Sequence, residues 1–182
     1  LEQQLFTENQ LEVAKVKQLA ADKARNAILK MEMDNVNHLA RMEQKRVDIR
    51  KAIASNIFKV QSAELSAALQ VNSLEMQRAK NKKDITRQFD LQVKRARLIY
   101  KQTLLQVQQE VTRVRLARIS ANIELNRLQI ELNRTKAAGK DTTLQKQSVE
   151  LQRQSLVLAN LNVTAAEKAA AFQIQGARAV RD

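Results

Sequence analysis

Across 182 residues this chain holds no proline and only two glycines, Gly139 and Gly176; average usage would supply about a dozen glycines and about nine prolines. Without them the backbone has few sites for a kink, a tight turn or a break in helical hydrogen bonding. Alanine, leucine, glutamine, arginine and lysine dominate instead, and these side chains keep most of their rotamer freedom in a helix or, for alanine, have none to lose. Only 3% of residues are aromatic, and no Asn-Gly or Asp-Gly dipeptide offers a hairpin turn. The chain is therefore predicted to be all-α. Thin aliphatic side chains in place of aromatics suit long extended helices joined by short turns, in a helical bundle or coiled-coil-like packing completed by oligomerisation.

The clearest stop is "KAAGKDTTLQ", Lys136 to Gln145. Lys136 places a cation at the carbonyl end of a helix, Gly139 can take the left-handed conformation just beyond it, and Asp141 or Thr142 can cap the helix that follows. A second stop is "VNSLEM", Val71 to Met76, where Asn72 and Glu75 have the spacing of a capping box. No glycine or proline ends the preceding helix there, so a continuous helix is the alternative. Three regions result: an N-terminal helical arm over 1–70, a long central helix within 71–138 and a C-terminal helix within 139–182. A central helix from 73 to 137 would be about 95 Å long, against a radius of gyration of about 16 Å for a compact chain of this size.

Within that helix Ile85, Phe89, Val93, Ala96, Tyr100, Leu104, Val107, Val111 and Val114 recur at steps of three and four, the period of an amphipathic helix. Leu91, Leu98 and Leu105 form a second row at a step of seven, on nearly the opposite side at about 100° per residue. Further on, Leu116, Ile119, Ile123 and Ile130 run beside Ala121, Leu125, Leu128 and Leu132. The upstream arm repeats the habit, with Ile49, Ile53, Ile57 and Val60 in one row and Phe58, Leu65 and Leu69 in another. A helix apolar on two sides belongs between neighbours. The other arms are expected to cover about one side, which leaves self-association to cover the second and makes Ile85, Phe89, Leu91, Val93, Leu98, Tyr100, Leu104 and Leu105 the expected packing residues.

Catalytic chemistry finds little to work with. There is no cysteine, hence no disulfide, thiolate nucleophile or sulfur metal site, and the redox compartment stays open. His38 has no second histidine with which to form a metal set. "AAGKDTT" echoes a phosphate loop, yet it lacks the first glycine and the preceding strand, and helix capping accounts for its residues. Carboxylates stand at i, i+3 or i+4 from bases, as in Glu43 with Arg46 and Asp90 with Lys94, the pattern of solvated helix faces. The reading is a non-enzyme without cofactor or metal.

Charge is the more informative feature. The net charge is +13, and "RAKNKKDITRQFDLQVKRARLIYK", Arg78 to Lys101, sets nine lysines and arginines against two aspartates, which is +7 of that total. Lys80, Lys82, Lys83, Arg87, Lys94, Arg95, Arg97 and Lys101 are the candidate contacts, with Arg87, Lys94, Arg97 and Lys101 in a polar sector between the two apolar rows. Such a stripe suits DNA phosphate read without sequence specificity, an anionic membrane, an acidic protein, or water alone. Aromatics for stacking on single strands are nearly lacking. Between Arg153 and Glu167 the thirteen residues "QSLVLANLNVTAA" are uncharged, too short to span a bilayer but able to lie in an interface or within a bundle. The chain begins at Leu1 and not at a methionine, which predicts a processed or partial product.

The stretch "IRKAIASNIFKVQSAELSAALQVNSLEMQRAKNKKDITRQFD" resembles the smaller internal virion protein of short-tailed bacteriophages, a component of the inner core ejected during infection. The likeness covers roughly residues 50–110, and Asn72-Ser73-Leu74-Glu75 stands where that family has a short turn, with Ala68 and Val71 where it tends to have glycines. The resemblance implies a multi-copy helical protein of the virion interior that passes into the host cell envelope and helps to form a conduit for DNA entry. Implied partners are further copies of itself, other virion core and portal proteins, DNA and the host membrane. Two other readings stand beside it: a coiled-coil scaffold or stalk, and an amphipathic membrane-surface protein.

Overall fold

The computed structural model describes the backbone of residues 2–181 and the side chains of residues 12–179. Three helices account for it: α1 (Glu2–Asn81), α2 (Ile85–Ala137) and α3 (Thr143–Arg181). With 80, 53 and 39 residues they are about 120, 80 and 58 Å long. The protein is all-α, as the composition predicts.

α2 packs antiparallel to α1 on one side and to α3 on the other, while α1 and α3 do not touch among the described residues. The result is an open layer one helix thick. Seven-residue steps run through most of each seam, with one eleven-residue step on α1 between Val47 and Phe58. Val47, Phe58, Leu65, Asn72 and Ala79 of α1 are buried or half-buried toward α2, and Thr142, Val149, Leu156 and Val163 do the same on α3. Leu91 and Leu105 are buried, Leu98 is half-buried, and Leu105 lies beside Leu65 of α1. Val107 and Leu132 are buried as well, within the row that α3 covers. Apart from Ile85 and Phe89 at its start, the two apolar rows of α2 are thus covered inside one chain, which corrects the expectation that a second copy is needed to cover its second side.

Polar groups fix the register of both seams. Asn72, 1% exposed, donates from Nδ2 to the Leu91 carbonyl at 3.1 Å, while its Oδ1 has no partner. Gln44 reaches Ser120 Oγ at 3.4 Å, and on the other side Gln152 donates to the Ala121 carbonyl at 3.0 Å. A buried polar residue in a heptad seam sacrifices stability and penalises slipped pairings. Arg115 bridges to Glu167 at 2.6 Å across the α2–α3 seam. Within α2, Arg127 lies 2.7 Å from Glu124 and 3.6 Å from Glu131, and the Glu124 hydrogen bond holds its guanidinium pKa above the ordinary value.

Both turns are built alike. After α2, the Lys140 amide donates to the Thr135 carbonyl and the Gly139 amide to that of Lys136; after α1, the Asp84 amide donates to the Ala79 carbonyl and the Lys83 amide to that of Lys80. Each is a Schellman closure with one residue in the left-handed region. That residue is Gly139 (φ 67) in the second turn and Lys83 (φ 56) in the first. Helix α3 then starts at an Asp141 side chain that accepts from the Thr143 amide at 3.0 Å and its hydroxyl at 2.7 Å; these bonds hold the Asp141 carboxyl below the usual carboxylate range.

The first turn therefore falls at Lys82–Asp84 and not at Val71–Met76, and the central helix begins about a dozen residues later than expected. Asn72 and Glu75 cap nothing, because both lie inside α1, which runs unbroken from Glu2 to Asn81. They serve the seam instead.

The matched turns give a paired prediction. Lys83→Gly removes a side chain from a backbone it disfavours and should stabilise the fold by about 0.5–1 kcal/mol, whereas Gly139→Ala should cost about 1 kcal/mol. A Cβ at Gly139 meets nothing within 4 Å, so that cost is conformational and not steric. Urea midpoints of the two variants, moving in opposite directions, are the measurement.

Candidate functional site

The turn at Lys82–Asp84 divides the basic tract. Lys80 sits in the last turn of α1, Lys82 and Lys83 form the turn, and Arg87, Lys94, Arg95, Arg97 and Lys101 rise along α2. The sequence suggests a stripe on one helix; the fold makes a charged hairpin end that continues down α2. Asp84 organises this end by accepting from the Arg87 amide at 2.9 Å, the N-cap bond of α2.

Arg87, Lys94 and Lys101 are spaced by seven, so they line one side of α2 over about 21 Å. With α1 and α3 on the two apolar rows, the sector between those rows stays open, and all eight candidate cations are exposed. Arg87 makes a 3.6 Å contact with Glu75 of α1, both side chains partly exposed. Among the described residues no carboxylate lies within ion-pairing distance of the other seven. The anticipated pairs Glu43–Arg46 and Asp90–Lys94 do not close in the structure; both are exposed, where such contacts contribute little.

The expected packing residues divide. Leu91 and Leu105 are buried, and Val93, Leu98, Tyr100 and Leu104 are half-buried. Ile85 and Phe89 are 80% and 65% exposed, contrary to expectation. They continue the row that α3 covers, but the described part of α3 reaches only to the neighbourhood of Tyr100, whose hydroxyl lies 3.5 Å from Arg178 Nε. Among the described residues the first three turns of α2 therefore have α1 as their sole helical neighbour. Two exposed apolar side chains thus occupy the first two turns of α2, just after Lys82 and Lys83 in the chain; sequence periodicity could not reveal their exposure because it shows rows and not how far a partner extends.

His38 is exposed on α1. Among the described residues no group of three or more His, Cys, Asp or Glu side chains is placed to hold a metal, and no helix is long and apolar enough to cross a membrane. The uncharged stretch of residues 154–166 has its inner row, Leu156 and Val163, turned to α2, and its outer residues Val157, Leu158 and Leu161 exposed. Asn72 to Glu75, the segment aligned with the turn of the phage family, lies inside α1. Compared with known protein families, curated proteins and solved structures, the chain matches none.

Asp84→Ala should cost about 1 kcal/mol through the lost N-cap, while Arg87→Gln should change stability by less than about 0.5 kcal/mol because its ion pair is solvent-exposed. Chemical denaturation of the two single variants separates the cap from the ion pair.

Proposed function

We propose that this protein is a non-enzymatic virion core protein of a short-tailed bacteriophage, ejected with the genome and acting in several copies as part of a conduit for DNA entry. The observation that carries this reading is the set of exposed cations at the α1–α2 end and along the open side of α2, seven of them without a carboxylate partner among the described residues. Exposed cations that are not engaged in ion pairs exchange condensed counterions for phosphate contacts without reading base sequence. The open helical layer supports the multi-copy part of the reading, since it has apolar residues on both of its edges. The resemblance over residues 50–110 supplies the virion context.

A second reading has its own observation. Ile85 and Phe89, exposed in the first turns of α2 that follow Lys82 and Lys83, give that end basic and apolar residues together, a combination suited to an anionic membrane surface. It would serve the host-envelope stage of the same route or stand alone as a surface-binding function.

Replacing Lys82, Lys83, Arg87 and Lys94 together by Gln should weaken duplex DNA binding and reduce the slope of log affinity against log salt by about 3.5. Unchanged affinity and slope would remove DNA from the reading. Replacing Ile85 and Phe89 by Ser should leave DNA binding intact; if it abolishes binding to phosphatidylserine vesicles, the membrane contact is real.

A further inference from the structure

Helix α2 has two apolar rows, and both are covered beyond its first turns, where Ile85 and Phe89 stay exposed. Helices α1 and α3 are built to the same plan, but each has only its inner row covered. On α1, Leu39, Met42, Ile49, Ile53 and Val60 lie on the side away from α2 and are 45–62% exposed. On α3, Leu144, Leu151, Leu158, Leu161 and Phe172 do the same at 60–74%. Both edges of the layer therefore end in an uncovered helical row.

The two rows match in height and direction. Gln44 of α1 contacts Ser120, and Gln152 of α3 contacts the adjoining Ala121 carbonyl, so these glutamines sit level on opposite sides of α2. Both helices are antiparallel to α2 and hence parallel to each other. Placed edge to edge without axial shift, α3 of one copy brings Leu151, Leu158 and Leu161 alongside Met42, Ile49 and Ile53 of the next. Charge permits this approach over most of the row: residues 154–166 carry none, so Arg46 and Arg50 on the α1 edge meet no like charge there, and only Lys45 comes level with a cation, Arg153, at the end of the stretch. An α1 edge against a second α1 edge would bring those cations together and leave the α3 row bare.

Area points the same way. The chain exposes 14015 Å², where a compact monomer of 20.7 kDa exposes about 8,900 Å². Elongation explains part of the difference, yet the excess is roughly three times what a standard protein interface buries. We propose that copies of this chain assemble side by side, the outer row of α3 seating on the outer row of α1 of the next copy. The contact is heterologous, so it propagates from copy to copy, into a ring where the rotation between copies closes and into an open array where it does not. It deepens the multi-copy reading above and rests on it.

The absence of cysteine makes disulfide trapping clean. The double variant Ile49→Cys with Leu158→Cys should give a ladder of covalent multimers on mild oxidation. Each single variant alone should give none, and the two singles mixed should give a heterodimer. Separately, Ile49→Glu with Ile53→Glu should reduce the sedimenting species to 20.7 kDa with unchanged helicity by circular dichroism, because both positions are already exposed in the chain. A covalent dimer from Ile49→Cys alone, or multimers that persist in the Glu variant, would overturn this pairing and leave the multi-copy reading standing. A wild-type chain that sediments as a monomer at every concentration would overturn both.

Discussion

A helix with apolar side chains on two nearly opposite sides cannot settle against one neighbour, because whichever row faces water forgoes roughly 25 cal/mol for each Å² left uncovered. Helix α2 is such a helix, and the fold is arranged around that fact. The chain reverses twice so that α1 takes the Leu91–Leu105 side and α3 takes the Val107–Leu132 side. Covering both sides of one rod with single rods yields a layer and not a closed bundle, since neighbours on opposite sides of α2 are too far apart to meet.

Because the layer is open, the sector of α2 between the covered rows stays in water, and that is where the chain concentrates its charge. Packing and electrostatics are in this sense one arrangement: the same geometry that buries Leu91 and Leu105 leaves Lys94 and Lys101 exposed. The turn adds Lys80, Lys82 and Lys83 at one end. A net charge of +13 makes association of copies unfavourable at low salt, and an anionic polymer or surface that neutralises it would favour close approach.

The all-α class, the Gly139 turn and the two-sided nature of α2 were legible because each rests on local chemistry: missing helix breakers, a residue that tolerates positive φ, and periodicity. The first turn was not, because Lys83 occupies the left-handed position that glycine holds in its counterpart. Lysine at that site looks like one more helix-forming residue. Asn72 and Glu75 misled for a related reason, since an asparagine and a glutamate three apart suit a cap or a seam equally well, and tertiary packing decides between them. Sequence periodicity also could not show that the second side of α2 is met within the chain, or that Ile85 and Phe89 lie beyond the stretch that α3 covers. Of the candidate site, the identity of the cations was readable; their division between a hairpin end and the flank of a helix depended on where the turn fell.

That α1 and α3 do not touch among the described residues has a mechanical consequence. In a closed bundle, detaching any helix opens a core that the others share. Here each seam is a separate zipper, and peeling α3 from α2 leaves every α1–α2 contact in place. The molecule can be narrowed stepwise, from three rods abreast to two and then to one, each about 10–12 Å across, with no single step that must rupture the whole.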